Sequence, residues 1–147
     1  MTPDIRTDLT EDDLRTAWRW ISEESYWAKG IPWPTFERAA RNSLCFGAYV
    51  EDQLAGFARV VTDRATFGWL CDVWVDEAHR GQGLSRTMMT AIKAHPDLQG
   101  FRRFHLATAD AHGLYRRFGF TDLTGPDRWM EIVDRDVYAR DQARSTT

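Results

Sequence analysis

Residues 79–89 read HRGQGLSRTMM. Gly81 and Gly83 stand one residue apart between Arg80 and Arg86, just after an apolar run and just before a helical pattern. Leu84, Met88, Ala91 and Ile92 share one helical face, and that stripe stops before Pro96. The first turn of a helix has unpaired N–H groups and the positive end of the macrodipole. Glycines leave those groups open to an anion, and Arg80 and Arg86 can add charge-assisted contacts to phosphate oxygens. The stretch predicts a strand–loop–helix unit whose loop holds a phosphate or pyrophosphate.

Upstream, ATFGWLCDVWV (65–75) is nearly all apolar, as in a central strand. LCFGAYV, EDQ and LAGFARVVTD (44–63) read as a β-hairpin. Phe36, Ala39, Ala40 and Ser43 mark one short helix. Leu14, Ala17, Trp18 and Ile21 mark another, opened by a Thr10–Asp13 capping box after a short first strand. Downstream, RFHLAT (103–108) predicts a strand. Ala111, Leu114, Tyr115 and Phe118 predict a helix that Gly119 ends, and WMEIV (129–133) a last strand. The order β-α-α-β-β-β-α-β-α-β-β predicts an α/β (α+β) chain with a mixed, mostly antiparallel sheet flanked by helices. Residues 1–137 read as one domain, with a frayed polar tail at 138–147.

Composition narrows the function. Of 147 residues, 43% are hydrophobic and 28% charged, which is ordinary for a globular protein. The net charge of −3 argues against a nucleic-acid partner, and FRRFHL (101–106) reads as a loop entering a strand. No apolar run is long enough to cross a membrane, and the first residues do not read as a secretory signal. Cys45 and Cys71, without metal-like spacing, read as buried free thiols of a cytoplasmic protein. The four histidines show no metal-ligand spacing either.

A P-loop would need Gly-Lys-Ser/Thr, which is absent. A dinucleotide loop would need glycine where Arg86 stands, and its fold lacks the upstream hairpin. Arg80-Gly81-Gln82-Gly83-Leu84-Ser85 resembles the R-x-x-G-x-[GA] loop of the GNAT acyltransferases, with Ser85 in place of Gly or Ala. Ala111, Leu114, Tyr115, Gly119 and Phe120 resemble that family's second signature, A-x-x-L-Y-x-x-x-G-F. SYWAKGIP and NSLCFGAY further resemble small bacterial members of unassigned acceptor.

The resemblance implies the GNAT fold and acetyl transfer from acetyl-CoA to a small-molecule or peptide amine by direct attack. It implies that Arg80 through Arg86 hold the pyrophosphate and that Val73 and Val75 offer backbone to the pantetheine arm. Thr108 stands where the family commonly has asparagine shortly before Ala111, both at the cofactor. A homodimer is an expectation of the family alone. A non-catalytic acyl-CoA sensor is the rival reading.

Tyr115 matches the family's general acid, and a phenol near 10 is protonated at pH 7. Its place on an apolar stripe also suits a core tyrosine with a bonded hydroxyl. Asp72 interrupts an apolar run, with strand alternation setting it beside Leu70 and Trp74 and opposite Val73 and Val75. As a base near pH 7 it would need its pKa raised about three units, roughly 4 kcal/mol; a water relay would need less. A structural aspartate paired with an arginine is the competing reading. Glu24, Tyr26 and Trp27 lie in the helical region that walls the family's acceptor site, and a solvated helix end followed by core aromatics would read the same way.

Overall fold

Helix α1 (Glu11–Glu24) begins at a complete capping box: the Asp13 N–H donates to Thr10 Oγ1 at 3.1 Å, and the Thr10 N–H to Asp13 Oδ2 at 3.2 Å. It buries Leu14, Ala17 and Ile21 against α2 (Trp33–Arg41), whose own buried face is Phe36 and Ala40. Trp18 is tied down by Nε1–H donating to the Ile31 carbonyl at 2.7 Å. The coordinates are a computed structural model that describes residues 3–140; of the expected tail, residues 141–147 lie outside the described residues.

The sheet runs β1 (Asp4–Arg6), β2 (Leu44–Val50), β3 (Gln53–Thr62), β4 (Phe67–Val75), β5 (Arg103–Leu106) in spatial as well as chain order. The first four are antiparallel neighbours; β5 joins β4 in parallel after the crossover helix α3 (Leu84–Ala94). Parallel strands need such a connection, whereas Glu51 and Asp52, both at positive φ, suffice to turn β2 into β3. Helix α4 (His112–Arg116) follows β5, and the chain turns at Gly119, φ +93°.

Two apolar layers cover the sheet. Leu44, Phe46, Val60, Leu70 and Tyr115 pack with Leu84, Met88, Met89 and Ile92 of α3 on one face. Cys45 and Phe57 pack with α1 and α2 on the other. Along β2, Leu44 and Phe46 face the first layer and Cys45 the second, as strand alternation requires.

Two expectations need correction. WMEIV (129–133) forms no strand: among the described residues it pairs with nothing, and Met130 and Ile132 are wholly exposed. A strand needs a neighbour for its N–H and C=O groups, and this chain brings none beside it. The alternation in β4 also breaks. Trp74 packs on the α1–α2 layer while Leu70, Val73 and Val75 face the α3 layer, so Leu70 and Trp74 do not share a face. The cause is a bulge. Phe57 opposes Trp74 and Arg59 opposes Cys71, which leaves Asp72 and Val73 opposite the single residue Ala58.

Candidate active site

The bulge builds the site. Asp72 sits at φ +54°, a left-handed conformation that aspartate tolerates better than most residues. Up to Leu70, β4 is paired with β5, through Leu70–Leu106. From Cys71 to Val75 it is paired only with β3, so the two parallel strands separate and leave one edge of β4 without a strand partner. The Val75 carbonyl accepts from Arg80 Nε at 3.0 Å, which folds the arginine back over Trp74 at 4.9 Å from the ring. Trp74 Nε1 is buried without a partner among the described residues.

Both oxygens of Asp72 are engaged. Arg59 Nε donates to Oδ2 at 3.0 Å, Trp27 Nε1 donates to Oδ1 at 2.8 Å, and Arg59 Nη1 continues to Ser43 Oγ at 3.0 Å. The pair is buried, with side-chain exposures of 7% for Asp72 and 17% for Arg59. Arg59 lies in register between Cys45 and Cys71, and burial pushes both thiols up to about 12. Neither cysteine is in a disulfide; Cys45 is buried and Cys71 partly so.

The loop between α1 and α2 spans the separated strands. Trp27 holds β4 through Asp72, and the next residue back, Tyr26, accepts at its hydroxyl from the Ala109 N–H at 3.2 Å, after β5. Their rings meet edge to face at 5.0 Å, and Trp27 leans on Trp74 at 6.0 Å. Tyr26, Trp27 and Asp72 thus tie the separated strands together, and Tyr26 lies near Tyr115. The side chain of Glu24, the exposed last residue of α1, makes no hydrogen bond or ion pair among the described residues.

Tyr115 lies on α4. The ring is in the core, yet among the described residues its hydroxyl has no hydrogen-bond partner. Burial, helped by the nearby Asp110 and Tyr26, pushes the phenol up to about 12. Thr108 has a local job: its Oγ1 accepts from the Ala111 N–H at 3.0 Å and so closes the turn that precedes α4.

Beyond the Val75 end of β4, the glycine loop makes a left-handed turn into α3. Gly81 and Gly83 have φ of +81° and +79°, with nothing within 4 Å of where a Cβ would stand. Gly83 opens α3 with no side-chain cap. A cavity of about 230 Å³ lies there, lined by Val75, Arg80, Gly81, Ser85, Arg86 and Leu114 among others. Leu84 turns its side chain into the core and leaves only backbone to the loop, while Gln82 is exposed.

Arg59 and Ala109 were not anticipated as members of the site. Ala109 contributes a backbone N–H, which no side chain reveals. Arg59 had a signal: like Asp72, it is a charge set inside an apolar strand, and two such interruptions can satisfy one another.

Residues 9–120 match the Acetyltransferase (GNAT) family, and the chain belongs to that family. A protein of Xanthomonas campestris pv. campestris assigned to the GNAT family shares 45% identity and superposes with a TM-score of 0.90, over 95% of this chain and 98% of its own. The Gibberella zeae protein FG08082, which carries an acetyltransferase name, is 31% identical over 123 residues, covering 69% of this chain and 68% of that one. A Clostridium acetobutylicum protein predicted to be an acetyltransferase and solved with acetyl-CoA shares the fold: TM-score 0.65 at 14% identity, over 90% of this chain and 96% of that one. The chain is an acetyltransferase of GNAT type, and its opening between β4 and β5 is the candidate active site.

Proposed function

We propose that the protein moves the acetyl group of acetyl-CoA to a primary amine of a small molecule or peptide by direct attack. The observation that carries this is the edge of β4 left unpaired from Cys71 to Val75, with a cavity of about 230 Å³ beside Val75 at the uncapped start of α3, together with a Tyr115 hydroxyl that has no hydrogen-bond partner among the described residues. The residues present suit an acyl-CoA. The open glycines and the arginines of the loop meet a pyrophosphate, and the unpaired edge of β4 at Val73–Val75 meets an amide-bearing arm. Acetyl-CoA supplies the activated acyl carbon and a thiolate leaving group.

Tyr115 faces that leaving group in this reading. A thiol near 8.5 is about 3.5 units more acidic than a phenol at about 12, so complete proton transfer would be uphill by roughly 5 kcal/mol. Donating a hydrogen bond to the developing sulfur charge carries no such penalty, and a phenol that stays protonated is always ready to do it. Asp72 acts by position. Its carboxylate already accepts from Arg59 and Trp27, so it holds the bulge and the acceptor wall while solvent takes the proton of the incoming ammonium. Tyr26 and Trp27 offer that ammonium aromatic faces beside a carboxylate.

Thermal unfolding with acetyl-CoA, coenzyme A, ATP and NAD in parallel tests the ligand. A ligand at a hundred times its dissociation constant stabilises by about 2.7 kcal/mol, several degrees for a domain of this size. Shifts with acetyl-CoA and coenzyme A alone support the reading, and thiol release with a panel of amines then identifies the acceptor. No shift with either would refute it.

A further inference from the structure

A groove of about 840 Å³ lies along β5, within the usual size of a small-molecule site. Part of its lining belongs to the face of β4 and β5 turned away from α3. Leu70, Phe104 and Leu106 pack in the α3 layer, so alternation sets Phe67, Trp69 and His105 on the opposite face. There the His105 ring lies 5.5 Å from that of Phe67, 6.5 Å from Trp69 and 4.6 Å from Trp129. Such a cluster is ordinarily core, yet Trp69 and Trp129 are 36% and 40% exposed.

Charge says what kind of molecule suits these rings. Arg116 is the one lysine or arginine in the lining, and it already donates to Asp122 at 2.6 Å. Arg103 stands 5.0 Å from the Trp129 ring but does not line the groove. Burial first, and Arg103 second, hold the His105 imidazolium below its usual range, so that ring is uncharged at pH 7. Glu131, also in the lining, has no ion pair among the described residues. A phosphate or carboxylate on the acceptor therefore meets no free cation here. An aromatic ring meets other rings, and an ammonium meets a carboxylate.

Spacing relates those rings to the reacting nitrogen. The strands part beyond the Leu70–Leu106 pair. An acyl-CoA arm laid from the glycine loop along Val75 and Val73 brings its thioester down to that pair. Trp69 pairs with His105 one residue below, about 3.3 Å, and Phe67 with Arg103 three residues below, about 10 Å. An amine attacking where the strands part has its next few atoms beside Trp69, His105 and Trp129.

We propose that this aromatic face is the acceptor subsite, and that the acceptor is a primary amine joined by a two- or three-atom chain to an aromatic ring and carrying no anionic group. The proposal rests on the acetyl transfer proposed above and adds the class of amine to it. The nitrogen bonds to the acetyl carbon as the carbon–sulfur bond breaks, giving an amide and the thiol of coenzyme A. Of the two protons the ammonium loses, one ends on sulfur and the other in solvent.

Thiol release from acetyl-CoA with 2-phenylethylamine, spermidine and glucosamine 6-phosphate tests the class. The kcat/KM for 2-phenylethylamine should exceed the other two about ten-fold or more. Trp69→Ala and Trp129→Ala should each raise its KM about ten-fold, with the thermal shift from acetyl-CoA unchanged. Trp129→Phe keeps a ring and should recover most of the affinity; if an alanine variant fails to fold, leucine at that position removes the ring and keeps apolar bulk. Preference for spermidine or glucosamine 6-phosphate overturns the proposal and leaves acetyl transfer standing. So does a KM for 2-phenylethylamine that neither substitution moves. If none of the three amines is turned over, calorimetric titration of 2-phenylethylamine decides: binding that Trp129→Ala abolishes upholds the aromatic site, and absence of binding overturns it. No thermal shift with acetyl-CoA would strike the proposed function, and the same titration then judges the groove by itself.

Discussion

Over Gly68–Leu70, β4 has a strand on either side; over 71–75 it keeps β3 and loses β5. The first half is ordinary sheet, with Leu70 packed against α3. The second half carries the bulge, a left-handed aspartate, a buried ion pair and an unpaired edge. One extra residue separates them. A bulge increases local twist and bends its strand, so it can move β4 away from β5 on one side without breaking the antiparallel pairing with β3 on the other. The site is therefore a fault in the sheet, held open by the Trp27–Asp72–Arg59–Ser43 chain of hydrogen bonds.

If that chain holds the second half in place, breaking it should produce the largest loss. Asp72→Asn keeps a residue suited to positive φ and can still accept from Trp27, but leaves the Arg59 guanidinium buried without its counter-charge. A loss of about 3 kcal/mol is expected by denaturant unfolding. Pairing it with Arg59→Met should restore much of the stability, so the double mutant will fall well short of the sum of the singles. A single substitution that costs almost nothing would mean the bulge is held by the backbone alone.

Tyr115→Phe asks what the open end does. Removing one hydroxyl with no partner among the described residues should leave stability nearly unchanged and lower kcat on the order of 10²-fold, with acetyl-CoA binding intact. In the wild type, burial holds this phenol protonated to about 12, so it adds no alkaline limb to the rate profile at ordinary assay pH. Its effect on stability has a definite sign. The folded value is about 12 and an unfolded tyrosine titrates near 10, so the contribution is complete below about 10 and is lost as pH rises through 12. The phenylalanine variant should lack that component of alkaline unfolding.

How much of this could be read in the sequence follows from how local each feature is. The Thr10 capping box, the Glu51–Asp52 turn and the glycine loop are each set within a few residues, and each forms as the residues predict. The bulge is not local. Whether Asp72 or its neighbours absorb the extra residue depends on Arg59, thirteen positions away, and on Trp27, forty-five away. Alternation counted along β4 alone therefore assigned faces wrongly beyond Asp72. WMEIV is the opposite case: its pattern was legible, but a pattern does not create a pairing partner.

Gly83→Ala probes the loop by backbone alone. At φ +79° an alanine is strained, yet nothing lies within 4 Å to clash, so the cost is the left-handed conformation by itself, about 1 kcal/mol. The folded enzyme should survive, with a Tm a few degrees lower and a smaller shift from acetyl-CoA. Asn at the same position tolerates positive φ better and should lose less stability, while its side chain still narrows the way to the N–H groups of α3. A variant with full ligand response would place the pyrophosphate elsewhere.

Trp27→Phe is the gentlest change and the one that separates wall from strut. Phenylalanine keeps an apolar ring near Trp74 but cannot donate to Asp72, whose Oδ1 is then left to solvent because Trp27 is 42% exposed. The stability loss should be about 1 kcal/mol, the net worth of one hydrogen bond to a charged group in a partly wet site. The informative quantity is how the kinetics divide. If Trp27 walls the acceptor, KM for the amine rises while kcat and acetyl-CoA affinity hold. If it serves only to brace the bulge, stability falls with KM unmoved, because Arg59 still fixes Asp72 from the other side. The second outcome would confine acceptor recognition to Tyr26 and the groove along β5, on the half of the molecule where the sheet runs out of strands.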